Sequence, residues 1–158
     1  DVFPDITKRV ERREMATIEL TKESFSDAVG GAQLALVDFW GPRCQLCRMF
    51  EPVFEEASQR HPDAVFGKVN AETHGQLAAM FRVLSLPTLV IMKEGFVIYA
   101  RSGTLLLEDL EDLLGQAHAL DMDAVRRKRA ARHRTASNRP SPDPLGRHRA
   151  PNAPGGSK

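Results

Sequence analysis

The chain has 158 residues, 42% of them hydrophobic and 27% charged, which suits one ordinary globular domain with some length to spare. Its near-neutral total of +1 hides an asymmetry: residues 124–158 hold ten Lys or Arg against one acid, Asp143, a local +9, and residues 1–123 carry −8. Two cysteines are too few for a secreted disulfide scaffold, no run approaches the roughly 18 apolar residues that span a bilayer, and the start lacks the apolar core of an export signal; a cytoplasmic protein is the expectation.

Residues 1–14 are highly charged with few apolar positions and read as a peripheral segment, with Met15 a candidate natural start. Ala16 to Leu20 patterns as a short strand. Thr21 then caps a helix through Val29, with Leu20 and Phe25 spaced as a hydrophobic staple and Gly30-Gly31 as its end. Leu34 to Trp40 is a nearly continuous apolar run, suited to a strand buried on both faces, and Asp38 stands inside it.

From Cys44 to about Arg60, the residues Leu46, Met49, Phe50, Val53, Phe54 and Ala57 recur at helical spacing, with Pro52 kinking the helix. Val65 to Val69 is the next strand and Glu72 to Phe81 the next helix. Thr88 to Met92 and Phe96 to Arg101 pair through a turn at Lys93-Glu94-Gly95. Thr104 caps a final helix whose stripe is Leu106, Leu107, Leu110, Leu113, Leu114 and Ala117. The order βαβαβαββα over residues 15–120 predicts an α/β domain with a mixed central sheet and helices on both faces. In residues 121–158 a short helix, to about Arg132, gives way to a basic tail that its five prolines and scarce apolar residues leave disordered.

The chemistry concentrates at Gly41-Pro42-Arg43-Cys44-Gln45-Leu46-Cys47. Gly41-Pro42-Arg43 breaks the strand and delivers Cys44 to the first turn of a helix, where unpaired N–H groups and the helix dipole favour a thiolate. Arg43 adds a positive side chain. A spacing of three puts Cys47 on the same face, near enough to form a disulfide or to resolve a mixed one. Cys44 is then the nucleophile and Cys47, a turn deeper, the resolver. A zinc site needs about four ligands, and the histidines at 61, 74, 118, 133 and 148 show no second closely spaced pair, so no metal is expected.

These motifs, in this order, resemble the thioredoxin family over roughly Met15 to Ala119. Val37-Asp38-Phe39-Trp40 resembles the strand leading into the family's redox site, Pro52 its helix proline, Phe66-Gly67-Lys68-Val69 the strand with its buried lysine, and Leu86-Pro87-Thr88 its cis-proline loop. Gly95 and Gly103 fall where it has turn glycines. The resemblance implies a thioredoxin fold, with a mixed sheet of four or five strands and about four helices. It implies dithiol-disulfide exchange on protein substrates, no bound cofactor, recycling by a thioredoxin reductase, and a monomer.

By the same resemblance Asp38 is the buried acid that relays a proton to or from Cys47; the alternative is an acid satisfied by a hydrogen bond or by Lys68. Leu86 and Thr88, beside Pro87, offer backbone groups to a substrate. Trp40 either supports the active-site loop or is simply core, and Lys68 is either the partner of Asp38 or a strand lysine reaching solvent. The chain departs from the family at the reaction centre: Gln45-Leu46 replaces the usual Gly-Pro, and Arg43 the usual Trp. Arg43 should stabilise the Cys44 thiolate and make the pair more oxidising, a weaker reductant. Two other functions remain open, a non-catalytic binding module and a disulfide oxidase or isomerase. The basic tail has no base-reading fold, so specific nucleic-acid binding is not expected.

Overall fold

The computed structural model describes residues 16–138. The expectations about residues 1–14, Met15 and the far part of the tail fall outside that range. Strand β1 is Thr17–Glu19, helix α1 Lys22–Gly30, β2 Leu34–Trp40, α2 Gln45–Arg60, β3 Val65–Asn70, α3 Gly75–Met80, β4 Thr88–Lys93, β5 Phe96–Ser102, α4 Leu107–Ala119 and α5 Met122–Ser137. The five strands form one mixed sheet in the order β1-β3-β2-β4-β5. β1 and β2 run parallel to β3, while β4 is antiparallel to β2 and to β5.

Local chemistry explains most boundaries. Thr21 and Ser24 form a reciprocal capping box at the start of α1: Ser24 N donates to Thr21 Oγ1 at 3.2 Å, and Thr21 N donates to Ser24 Oγ at 2.9 Å. Leu20 and Phe25, the staple pair, are both buried. Glu94 and Gly95 both have positive φ, 50° and 80°, as the tight turn between two antiparallel strands requires.

Alternation along β2 divides the core. Leu34 and Leu36 face one layer with Phe50 and Phe54 of α2 and Leu110 and Leu114 of α4. Ala35, Val37 and Phe39 face the other, with Phe25 and Val29 of α1 and Leu77 and Ala78 of α3. Because side chains alternate with a period of two, Asp38 shares the α2 face with Leu34 and Leu36. That parity puts a carboxylate beneath the cysteine helix.

Several expected boundaries move. The helix expected from Glu72 starts at Gly75, because Asn70 Oδ1 accepts hydrogen bonds from Glu72 N and Thr73 N and holds those residues in a turn. Thr104 caps nothing; α4 starts after Leu106, which is exposed, while Leu105 is the buried residue. Leu46 and Met49 are exposed rather than core. Pro52 lies inside α2 without ending it.

The described residues fall into two separate units, one up to Met122 and one from Asp123. Leu120, with extended φ and ψ, ends α4, and α5 starts at Met122. It also runs to Ser137, past the expected stop near Arg132, so Arg134 to Ser137 are helical rather than disordered. Ala130, Ala131 and the arginines are good helix formers, and the first proline comes only at 140.

Candidate active site

β2 ends at Trp40 and α2 begins at Gln45, with Gly41 to Cys44 turning the chain between them. Cys44 N donates to Gly41 O at 3.3 Å. Cys44 is the N-cap of α2, one position earlier than the first-turn placement read from the sequence, with extended φ −95° and ψ 109°. Its Sγ accepts from Cys47 N at 3.1 Å, as a serine or aspartate oxygen does at other helix starts. An anionic sulfur there meets an oriented N–H and the positive end of the helix.

Cys44 and Cys47 are joined by a disulfide with Cα atoms 5.2 Å apart. Cys44 is half-buried and Cys47 buried, at 4% exposure. An incoming group therefore reaches Cys44 first. Arg43 is exposed beside it. Gln45 and Leu46, between the cysteines, are exposed too.

Behind Cys47 lies a cavity of about 120 Å³, lined by Asp38, Trp40, Gly41, Pro42, Cys47, Arg48, Glu51 and Lys68. That is room for water as well as protein atoms. Asp38 is 1% exposed, and among the described residues neither of its carboxylate oxygens has a hydrogen-bond partner. Burial raises its pKa to about 7; Lys68 opposes the rise, while Glu51 and Glu19 add to it. A carboxyl poised near neutrality can both take and return a proton at physiological pH.

Lys68 is opposite Asp38 in the β2–β3 register. Its ammonium nevertheless donates to Glu51 Oε1 at 2.8 Å and lies 5.2 Å from the centre of the Trp40 ring. Neither alternative read from the sequence describes it fully: Lys68 feels Asp38, but its ion-pair partner comes from α2. Trp40 is half-buried, its ring under that ammonium, and its indole Nε1 has no hydrogen-bond partner among the described residues.

The Leu86–Pro87 peptide bond is cis. Pro87 is buried, and its carbonyl accepts from Gly103 N at 2.8 Å. Thr88 stands between Phe39 of β2 and Ser102 of β5, so both its flanks are occupied, whereas Leu86 precedes the strand. A Cβ at Gly41 would lie 2.9 Å from Leu86 Cδ1, so the turn before the cysteines touches the loop before Pro87.

Sequence reading missed Glu51 and Arg48 as parts of this site, and the close approach of Gly41 to Leu86. Glu51 was within reach of it, since it follows Cys47 by one helical turn and shares its face. Arg48 donates to Pro42 O at 3.2 Å, bracing the turn.

Comparison with known proteins follows the same outline. The thioredoxin family model matches residues 16–116. The putative thioredoxin 2 of Streptomyces coelicolor is 45% identical over 112 residues, 71% of this chain and 84% of that protein. The bifunctional thioredoxin reductase/thioredoxin of Mycobacterium leprae is 35% identical over 104 residues, 62% of this chain and 23% of that one. Among solved structures, Malassezia sympodialis thioredoxin aligns with a TM-score of 0.58 at 27% identity, over 64% of this chain and 89% of that one.

Proposed function

The chain belongs to the thioredoxin family of thiol-disulfide oxidoreductases, and from that membership we propose that it reduces protein disulfides through a mixed disulfide at Cys44 that Cys47 resolves. The observation that carries this reading is the asymmetry of the pair. Cys44 is accessible, with its sulfur on a helix N-terminus, and Cys47 is buried against the cavity that holds Asp38.

In the reduced protein the Cys44 thiolate attacks one sulfur of a substrate disulfide. A Cys44–substrate S–S bond forms, the substrate S–S bond breaks, and the other substrate sulfur leaves as a thiolate. Cys47 then gives up its proton to the Asp38 carboxylate, directly or through water in the cavity, and its thiolate attacks Cys44 Sγ. The Cys44–Cys47 disulfide forms and the second substrate thiolate departs, so two electrons have passed from the protein to the substrate.

The remaining residues position rather than react. Leu86, ahead of Pro87, offers its backbone to an extended substrate segment beside Cys44. Trp40 and Lys68 wall the cavity, and the Lys68 ammonium opposes the rise in the Asp38 pKa. Arg43 stabilises the thiolate and with it the reduced form, which makes the pair a weaker reductant than a site without that charge.

Disulfide-containing proteins are the substrates, and a thioredoxin reductase returns the electrons. The Mycobacterium leprae relative, whose name joins a reductase and a thioredoxin in one chain, supports that pairing. A chain with only two cysteines, both in the reactive pair, fits a reducing compartment such as the cytoplasm. Among the described residues no helix is long and apolar enough to cross a membrane.

The test is insulin disulfide reduction with Cys44→Ser and Cys47→Ser. Cys44→Ser should abolish turnover, and Cys47→Ser should accumulate a covalent substrate adduct visible by mass spectrometry and released by dithiothreitol. Turnover by Cys44→Ser, or an adduct on the other cysteine, would overturn the assignment of roles.

A further inference from the structure

We infer that His61, Asp63 and His118 form a binding site for a divalent transition-metal ion of the zinc class, remote from the redox pair. One ligand atom from each lies within 4.8 Å of the other two. His61 is the C-cap of α2, and His118 lies in the last turn of α4. The sixteen residues of α2 put about 24 Å of helix between this cluster and Cys44.

The chemistry of the donors fits. His118 Nε2 is 3.6 Å from Asp63 Oδ2. Two ligand atoms on one tetrahedral zinc, each at roughly 2.0–2.1 Å, stand about 3.4 Å apart, so this pair already has nearly the required separation. The His61 and His118 rings are stacked, with centroids 6.2 Å apart. Asp63 and His118 are exposed and His61 half-buried, so the cluster is open to an ion from solvent.

His61 is also held as metal-bound histidines are held. Its Nε2 is 2.6 Å from Glu111 Oε2. A carboxylate on Nε2 orients the ring and leaves Nδ1 as the nitrogen available to an ion. The backbone beneath His118 is fixed as well, because Lys93 Nζ donates to the carbonyls of Ala117, His118 and Leu120 at 2.7, 2.9 and 3.0 Å.

Charge near the site is balanced. Asp63 and Glu111 offset Arg60, whose Nη1 is 3.9 Å from Glu111 Oε1, and Lys93. Two imidazoles and one carboxylate select zinc, copper or nickel over magnesium or calcium, which prefer an all-oxygen shell. Three protein ligands leave a fourth position for water or an anion. The ion would tie the end of α2 to the end of α4 without touching the disulfide.

The test titrates Zn(II) into the oxidised full-length protein, whose sulfurs are tied up in the Cys44–Cys47 bond and do not compete, with Co(II) absorption as the geometric probe. One equivalent should bind with a tetrahedral Co(II) spectrum. Glu111→Gln should weaken binding about tenfold, and His118→Asn and Asp63→Asn by more than that. His74→Asn should bind as the parent does, and all four variants should keep the parent's circular dichroism and insulin turnover. An absence of saturable binding, or equal affinity in His118→Asn through binding elsewhere in the chain, would overturn the site. The readout is independent of thiol chemistry.

Discussion

Lys68 gives its ammonium to Glu51, 2.8 Å away on α2, although the residue opposite it in the neighbouring strand is Asp38. The acid beneath Cys47 thus lies in a cavity where burial, aided by Glu51 and Glu19 and opposed by Lys68, holds its proton on. Charge at the redox site is set by a helix residue next to Pro52 as well as by the two strand residues that the pattern singles out.

Glu51→Gln should therefore lower the pKa of Asp38, since it removes a negative charge that raises it and releases Lys68, which lowers it. The other charged groups around the acid are Glu19 on β1 and Arg48 on α2, and both stay in place. The acid-side inflection of mixed-disulfide resolution, near pH 7 in the parent, should move down by roughly one pH unit. Rapid-quench kinetics across pH 5–9 would measure it, and an unmoved inflection would mean that Lys68 does not respond to its partner. Glu51 is exposed, so the substitution should leave the fold intact.

Asp38→Asn should slow turnover and stabilise the protein at the same time. The carboxyl has an ordinary pKa near 3.8 and one of about 7 in the folded chain. Between those values the unfolded chain has lost the proton and the folded chain keeps it, so stability falls as pH rises through the window. The amide has no such loss. At pH 8 the variant should gain up to about 4 kcal/mol over the parent, and at pH 3 almost nothing. Urea unfolding of the oxidised proteins at the two pH values checks both sign and size.

Gly41→Ala should affect substrate binding more than sulfur chemistry. The new methyl would sit 2.9 Å from Leu86 Cδ1, the end of a half-buried side chain that can move aside. Shifting Leu86 disturbs the backbone proposed to pair with a protein substrate. A loss of about 1 kcal/mol there corresponds to a roughly fivefold higher KM for insulin. The rate with a small aromatic disulfide, which needs no such pairing, should stay the same; equal losses on both substrates would place the effect at Cys44 instead.

Removing residues 123–158 should leave insulin turnover unchanged. Their described part forms a separate unit, and the residues of the redox site all precede it. A slower truncated chain would give the basic extension a part in capturing acidic substrates, and the loss would then grow smaller as salt is added to the parent.

Much of this molecule is legible along the chain, because the interactions that decide it are local. The apolar run of β2, the turn at Gly41-Pro42-Arg43, the spacing of Cys44 and Cys47, and the cap at Thr21 each act within a few residues, as do the periodicities that separate strand from helix. The same patterns mark Asp38 as an acid in a core strand and bring it under α2 by parity. The exposure of Leu46, Met49 and Leu106 was not legible, since an apolar residue at helical spacing is buried only where another element covers it. The partner of Lys68 and the meeting of His61 with His118 depend on how α2 packs against β3 and α4. The sequence by itself determined the fold and the reactive cysteines; only the tertiary structure decided which charges stand beside Asp38 and which histidines converge, because electrostatic and ligand partners are chosen by distance in space, which residue spacing along the chain does not encode.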